Sequence, residues 1–247
     1  MSTLNVSSIN SGPIGGMRNA LINGNPTINQ RGYVSGTATT TANEYTLDRW
    51  RVVTSGQNIS WTDSANVRTV TAPAGGVEQV VEGINLFSGS YVLSWTGTAT
   101  ATVAGSPVAN GATVTLVGGV DTTVRFSGGT FALAQLEPGT RSTPFERRSY
   151  GQELALCQRY YYSSGTVRTT IYADNATSDG ILNFKFPVSM RAAPTIAQTS
   201  GGTTFANTGT IGAQGITTEG FQWTVAASSG AGMRGSTVCS YTATIEL

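Results

Sequence analysis

The sequence predicts an all-β protein, and three observations predict it. Short runs alternate apolar and polar residues, recur at roughly ten-residue spacing, and are separated by Gly-Gly and Asn-Gly turns. Glycine is abundant, at 31 of 247 residues. Charge is sparse, at 11% of residues, under half the usual figure of roughly 25%. A net charge of +1 and 9% aromatic residues do not make a disordered composition. Many short strands at such spacing indicate a sandwich or a barrel.

The elements follow in order. Residues 1–18, "MSTLNVSSINSGPIGGMR", are polar and closed by Gly-Pro and Gly-Gly breakers. They form no core and read as a tail that is free or ordered against a partner. "NALINGNPTINQRGY" brings a short apolar run and an Asn-Gly turn, and "YTLDRWRVV" reads as a strand. "NISWTD", "VRTVTA" and "VEQVVEG" follow as strands. In "GSYVLSWTGTATATVAG", the clearest strand, Tyr91, Leu93 and Trp95 share one face. "GATVTLVGG", "DTTVRFSGG" and "TFALAQLE" complete the first β unit, residues 19–148.

Residues 149–163 read as a connecting helix. Ser149 is placed to cap it and Gln152 to close a capping box. Tyr150, Leu154, Cys157 and Tyr161 fall on one helical face. A helix this short needs packing, on its own chain or against other copies. Residues 164–247 return to strand patterns such as "TVRTTIYAD", "GILNFKFPV", "GFQWTVAAS" and "TVCSYTATIEL".

Composition excludes several classes of function. A near-zero net charge with scattered basic residues argues against nucleic-acid binding. No run of 18 apolar residues predicts a membrane span, and the N-terminus lacks the apolar core of a secretory signal, so a protein of this kind that leaves its cell is expected to use another route, such as lysis. Cys157 and Cys239 form no metal or disulfide pattern and read as free, buried thiols. No cofactor is expected.

Certain blocks carry a resemblance. "NALINGNPTINQRG", "DRWRV", "GSYVLSWTGTAT", "LAQLEPGTRSTPFERRSYGQELALCQRYYY" and "FKFPVSMRAAPTI" resemble recurring blocks of bacteriophage tail-fibre proteins. They span residues 19 to about 196 in the family's order, and the long block is the specific one. The resemblance implies a jelly-roll β-sandwich similar to carbohydrate-binding modules over residues 19–148. A β-sandwich over residues 164–247 follows from it too. It further implies a homotrimer located on the virion, attached to other virion proteins through the N-terminal tail. Its partner would be host-surface polysaccharide or lipopolysaccharide. A capsid-attached head fibre or decoration protein of the same build is the alternative, and a glycan-degrading tail spike a further one.

The chain contains no histidine. That removes Ser-His-Asp triads, Cys-His nucleophiles and His-based metal sites. A hydrolase would have to use paired carboxylates. The nearest pairs, Glu137 with Glu146 and Asp174 with Asp179, read as ion-pair partners and as Asx turns, so no catalytic residue is assigned. A Ca²⁺ loop at Asp174–Asp179 is the sharper alternative for the second pair, without an EF-hand pattern to support it.

Glycan binding needs an aromatic ring for the apolar face of a sugar and polar neighbours for its hydroxyls. Trp50, Trp95 and Trp223 read as core. Trp61, with Asn58 and Asp63 beside it, is the first glycan candidate; Tyr172, Asp174 and Asn175 form the second. Glu146, Arg147 and Arg148, together with the Tyr150, Leu154, Cys157 and Tyr161 face, are expected at the junction and at trimer contacts.

Overall fold

The computed structural model describes residues 8–9, 12–13, 17–173, 180–200, 203–206, 208–227 and 233–247, with side chains for 17–167, 181–199, 212–224 and 240–247. The chain is mostly β, in several antiparallel sheets, with one α-helix among the described residues. Contacts divide it into two compact units: residues 1–154 with Leu247, and residues 155–246.

β1 (Ser8–Ile9) and β2 (Gly12–Pro13) form a small hairpin near the N-terminus. The rest of the first unit has eleven strands. They are β3 (Glu44–Tyr45), β4 (Arg51–Val52), β5 (Ser60–Ser64), β6 (Val67–Ala72), β7 (Val77–Val81), β8 (Gly89–Thr96), β9 (Thr100–Val103), β10 (Ser106–Val108), β11 (Thr113–Leu116), β12 (Thr122–Ser127) and β13 (Gly129–Pro138). One sheet runs β10-β9-β12-β7-β4-β3 and the other β11-β8-β13-β6-β5. Both contribute to a single core.

Alternation explains this core. Tyr91, Leu93 and Trp95 of β8 point into it, as do Val124 and Phe126 of β12. At its centre Phe126 stacks on Phe131 with ring centroids 4.5 Å apart. Trp50 lies 5.1 Å from Phe131, and its indole N–H donates to the Asn23 carbonyl at 2.9 Å. Trp50 and Trp95 are therefore core residues, as their neighbours in the sequence predict.

One predicted strand is corrected. "YTLDRWRVV" is not continuous: β3 and β4 flank a tight turn in which the Thr46 amide donates to the Trp50 carbonyl at 2.9 Å. Arg49 takes a left-handed φ of 69° there. The buried Asp48 accepts from the Gln30 backbone amide at 2.5 Å and its side-chain amide at 3.0 Å. A side chain committed to such bonds holds the chain in a turn in place of an extended ladder.

The segment after Arg18 joins no sheet formally, yet it lies along β13. The Ala20 amide donates to the Leu136 carbonyl, and the Ala134 amide to the Gly24 carbonyl, both at 2.8 Å. Next to these contacts β13 bulges, with a register shift between Ala132 and Gln135 and Leu133 at φ 50°. Gly24 permits the approach, because a β-carbon there would sit 2.3 Å from the Ala134 carbonyl oxygen.

The helix α1 spans Tyr150–Gln158, shorter than expected. Its start is as predicted: the Gln152 amide donates to Ser149 Oγ at 3.4 Å, and the Ser149 amide to Gln152 Oε1 at 3.2 Å. The chain then turns into β14 (Tyr161–Ser163), so Tyr161 lies on a strand and not on the helix.

The second unit also contains β15 (Val167–Ala173), β16 (Gly180–Lys185), β17 (Thr195–Ser200), β18 (Thr203–Ala206), β19 (Thr208–Gln214), β20 (Gly220–Ala227) and β21 (Met233–Thr244). The long β21 pairs with β14, β15, β17 and β18, and a second sheet runs β16-β20-β19. Its core gathers Phe186, Met190, Phe221, Trp223, Tyr241 and Ala243. Trp223 is core here, as expected, and Phe221 packs edge-on to Tyr241 at 4.9 Å.

Candidate functional site

The charged run before the helix is tied to the segment at residues 19–23. Asn19 is the hub: its side-chain oxygen accepts from the Leu21 and Leu136 amides at 3.0 Å, and its side-chain amide donates to the Ala134 carbonyl at 3.0 Å. The Asn19 backbone amide donates to Glu146 Oε2 at 2.9 Å. Arg148 then donates to the Leu21 carbonyl at 3.1 Å, to Glu153 Oε1 at 3.2 Å, and to the Asn19 carbonyl. Glu153 also accepts from the Asn23 amide.

Burial pushes the Glu146 carboxyl up, but amide hydrogen bonds from Asn19 and Arg18 and the Arg148 charge together hold its pKa below the ordinary value. Glu137, 1% exposed, accepts from the Thr143 amide at 2.7 Å, the Thr143 hydroxyl at 2.6 Å and Gln135 Nε2 at 2.9 Å. Both carboxylates of the Glu137 and Glu146 pair thus hold backbone in place. Glu146 and Arg148 act inside the first unit, whereas Arg147 is exposed and has no ion pair among the described residues.

Beside this clamp, within the first unit, lies a cavity of about 410 Å³. Phe145, Arg147 and Tyr150 line it together with Asn25, Thr27 and Asn66. Tyr150 is 67% exposed. Asn66 sits in the two-residue β5–β6 turn, where Ala65 and Asn66 have φ of 48° and 62°, the left-handed pair of a type I′ hairpin. Asn25 braces that turn: its side-chain amide donates to the Asn66 carbonyl at 3.0 Å, and its oxygen accepts from the Arg68 amide at 2.9 Å.

Trp61 lies on β5, the edge strand of its sheet, half-buried against the core. The Arg68 guanidinium covers it at 4.6 Å from the ring centroid, and Tyr33 packs at 6.1 Å. Arg68 is held in place by a two-pronged bond to Asp63, with both contacts at 2.8 Å. These hydrogen bonds, chiefly, hold the Asp63 carboxyl below its ordinary pKa. Asn58 is exposed in the loop before β5. The expected Trp61 platform is therefore less open than its polar neighbours suggested, because a cation occupies the ring.

Arg68 escaped the sequence reading. The signal was available: Asp63 and Arg68 are equidistant from the Ala65-Asn66 turn, and a two-residue hairpin sets them opposite each other.

The helix face also needs correction. Cys157 is fully buried and Tyr161 is 8% exposed, Leu154 is half-buried, and Tyr150 points outward. The four do not form one buried stripe, because Tyr161 has left the helix. Cys157 and Tyr161 are covered by their own chain. For the second glycan candidate, the side chain of Tyr172, and Asp174 and Asn175 entirely, lie outside the described residues, as do Asp179 and the Cys239 side chain. Among the described residues no group of three or more Cys, Asp or Glu gathers as metal ligands, and no helix is long and apolar enough to cross a membrane.

No family model, no curated protein and no solved structure matches the chain.

Proposed function

We propose that the chain is a non-enzymatic fibre protein of a bacteriophage virion. In this reading it acts as a homotrimer and binds host-surface glycan through its first unit. The observation that carries this reading is the cavity beside the clamp. It combines an exposed aromatic ring, Tyr150, with an exposed guanidinium that has no ion pair among the described residues, Arg147, and an exposed amide, Asn66. The ring suits the apolar face of a sugar and the Asn66 amide suits its hydroxyls. The cavity lies within the roughly 300–1,000 Å³ of small-ligand sites.

Strand order supports a jelly roll for the first unit. Eight consecutive strands divide as β6-β13-β8-β11 in one sheet and β7-β12-β9-β10 in the other, the alternation made by two Greek keys. The trimer draws support from surface chemistry. Ile84, Phe87, Val117 and Val120 are exposed on two loops pinned together by Gly119 N–H bonds to the Gly83 and Leu86 carbonyls at 3.2 and 3.3 Å. Clustered apolar side chains of this kind are what a subunit contact covers. Three weak sugar sites on one particle then gain avidity.

A glycan array probed with the intact protein tests the reading. Wild type is expected to bind a defined set of host saccharides and Tyr150→Ala to lose at least roughly tenfold in affinity, the scale of a stacked ring. Binding to no saccharide would reject glycan recognition. Equal binding by the variant would move the site away from the cavity. In solution the mass should be three times the 25.6 kDa of one chain, and bound polysaccharide should keep its chain length.

A further inference from the structure

We infer that the cavity selects saccharides bearing an anionic group, a carboxylate or a phosphate ester, and that Arg147 is the selecting residue. This rests on the glycan reading above and adds the ligand's charge. Three charged side chains line the cavity: Arg147, Arg148 and Glu153. Arg148 is enclosed, with its side chain 6% exposed, and it is paired with Glu146 at 3.6 Å and Glu153 at 3.2 Å. Glu153 is committed in turn to Arg148 and the Asn23 amide. Arg148, Glu146 and Glu153 are thus all held by partners inside the clamp.

Arg147 is different. It is exposed, it lines the same cavity, and no described carboxylate pairs with it. Among the described residues, the charge at this cavity that lacks a partner is therefore the positive one of Arg147. A guanidinium meets a carboxylate or a phosphate through two parallel N–H···O bonds, a geometry that a neutral hydroxyl does not reproduce. Tyr150, which lines the same cavity, supplies a ring for the apolar face of the sugar, and the exposed Asn66 side chain supplies a donor and an acceptor. Neutral sugars would use the ring and the amide alone. An anionic sugar uses all three.

The experiment is a binding titration of the intact protein against matched saccharides. One pair is a hexuronic-acid oligosaccharide and its carboxyl-reduced form; the other is a phosphorylated oligosaccharide and its dephosphorylated form. Wild type is expected to prefer at least one anionic member by roughly tenfold, with the preference shrinking as salt rises. Arg147→Gln should equalise the members of that pair while keeping the weaker binding to the neutral one. Arg147→Lys should restore part of the preference, since it returns charge without the fork. Because Arg147 is exposed and unpaired, an unchanged melting temperature is expected for both variants. Equal wild-type binding to charged and neutral members overturns the inference and leaves glycan binding standing. So does a preference that survives Arg147→Gln. No binding to any of the four rejects both readings.

Discussion

Glu146 joins the clamp's geometry to its pH response. Its carboxylate accepts the Asn19 amide at 2.9 Å and faces Arg148 at 3.6 Å. Hydrogen bonds and a positive neighbour favour the charged form and outweigh the burial that opposes it, so the folded pKa is lowered. A lowered folded pKa means that the unfolded chain binds the proton more readily. The contribution of Glu146 to stability is then complete above its unfolded value, roughly pH 4.3. It disappears as pH falls through the lower folded pKa. Glu146→Gln keeps an acceptor for Asn19 but removes the charge. Chemical denaturation should find the variant less stable than wild type at neutral pH. The gap should close in acid, as pH falls through the lowered folded pKa. A gap that stays constant as the solution is acidified would mean the carboxylate charge does not hold the clamp.

At the scale of elements, the docking of residues 19–24 on β13 sets both the clamp and the cavity wall. Gly24 makes it possible, since a β-carbon would meet the Ala134 carbonyl oxygen at 2.3 Å and Asn19 Nδ2 at 2.9 Å. The first obstacle is backbone and cannot rotate away. Gly24→Ala should therefore destabilise the first unit by roughly 1–3 kcal/mol, as overpacking does, read as a lower denaturation midpoint. A midpoint unchanged from wild type would show that the segment shifts freely. Local grammar made some elements legible and not others. The helix start was readable because Ser149 and Gln152 cap it within one turn. Its end was not, because Tyr161 pairs with Thr244 across the length of the second unit. Helical spacing placed Tyr150 with Cys157, but packing buries one and exposes the other. The cavity was invisible to any window of sequence, since it unites residues near 25, 66 and 147 that only the β13 docking and the β5–β6 hairpin bring together.

The whole molecule contains two apolar cores that share no residue. One is built around Trp50, Phe126 and Phe131, the other around Phe221, Trp223 and Tyr241. Each core is drawn from residues of its own unit, so its burial stabilises that unit first. Chains built this way depart from single two-state unfolding. Scanning calorimetry of the intact protein should resolve two transitions. Phe126→Ala removes a fully buried ring that stacks on Phe131 at 4.5 Å. Phe221→Ala removes one that packs on Tyr241 at 4.9 Å. Each truncation should lower one transition, by roughly 3–5 kcal/mol of stability for a core phenylalanine, and leave the other nearly in place. The assignment of transitions follows from which variant moves which peak. Glycan binding supplies a cross-check: a saccharide bound in the cavity raises only the transition that Phe126→Ala lowers, because ligand stabilises the unit that holds it. One peak that moves as a whole with either variant would show that the two cores unfold as a single cooperative block.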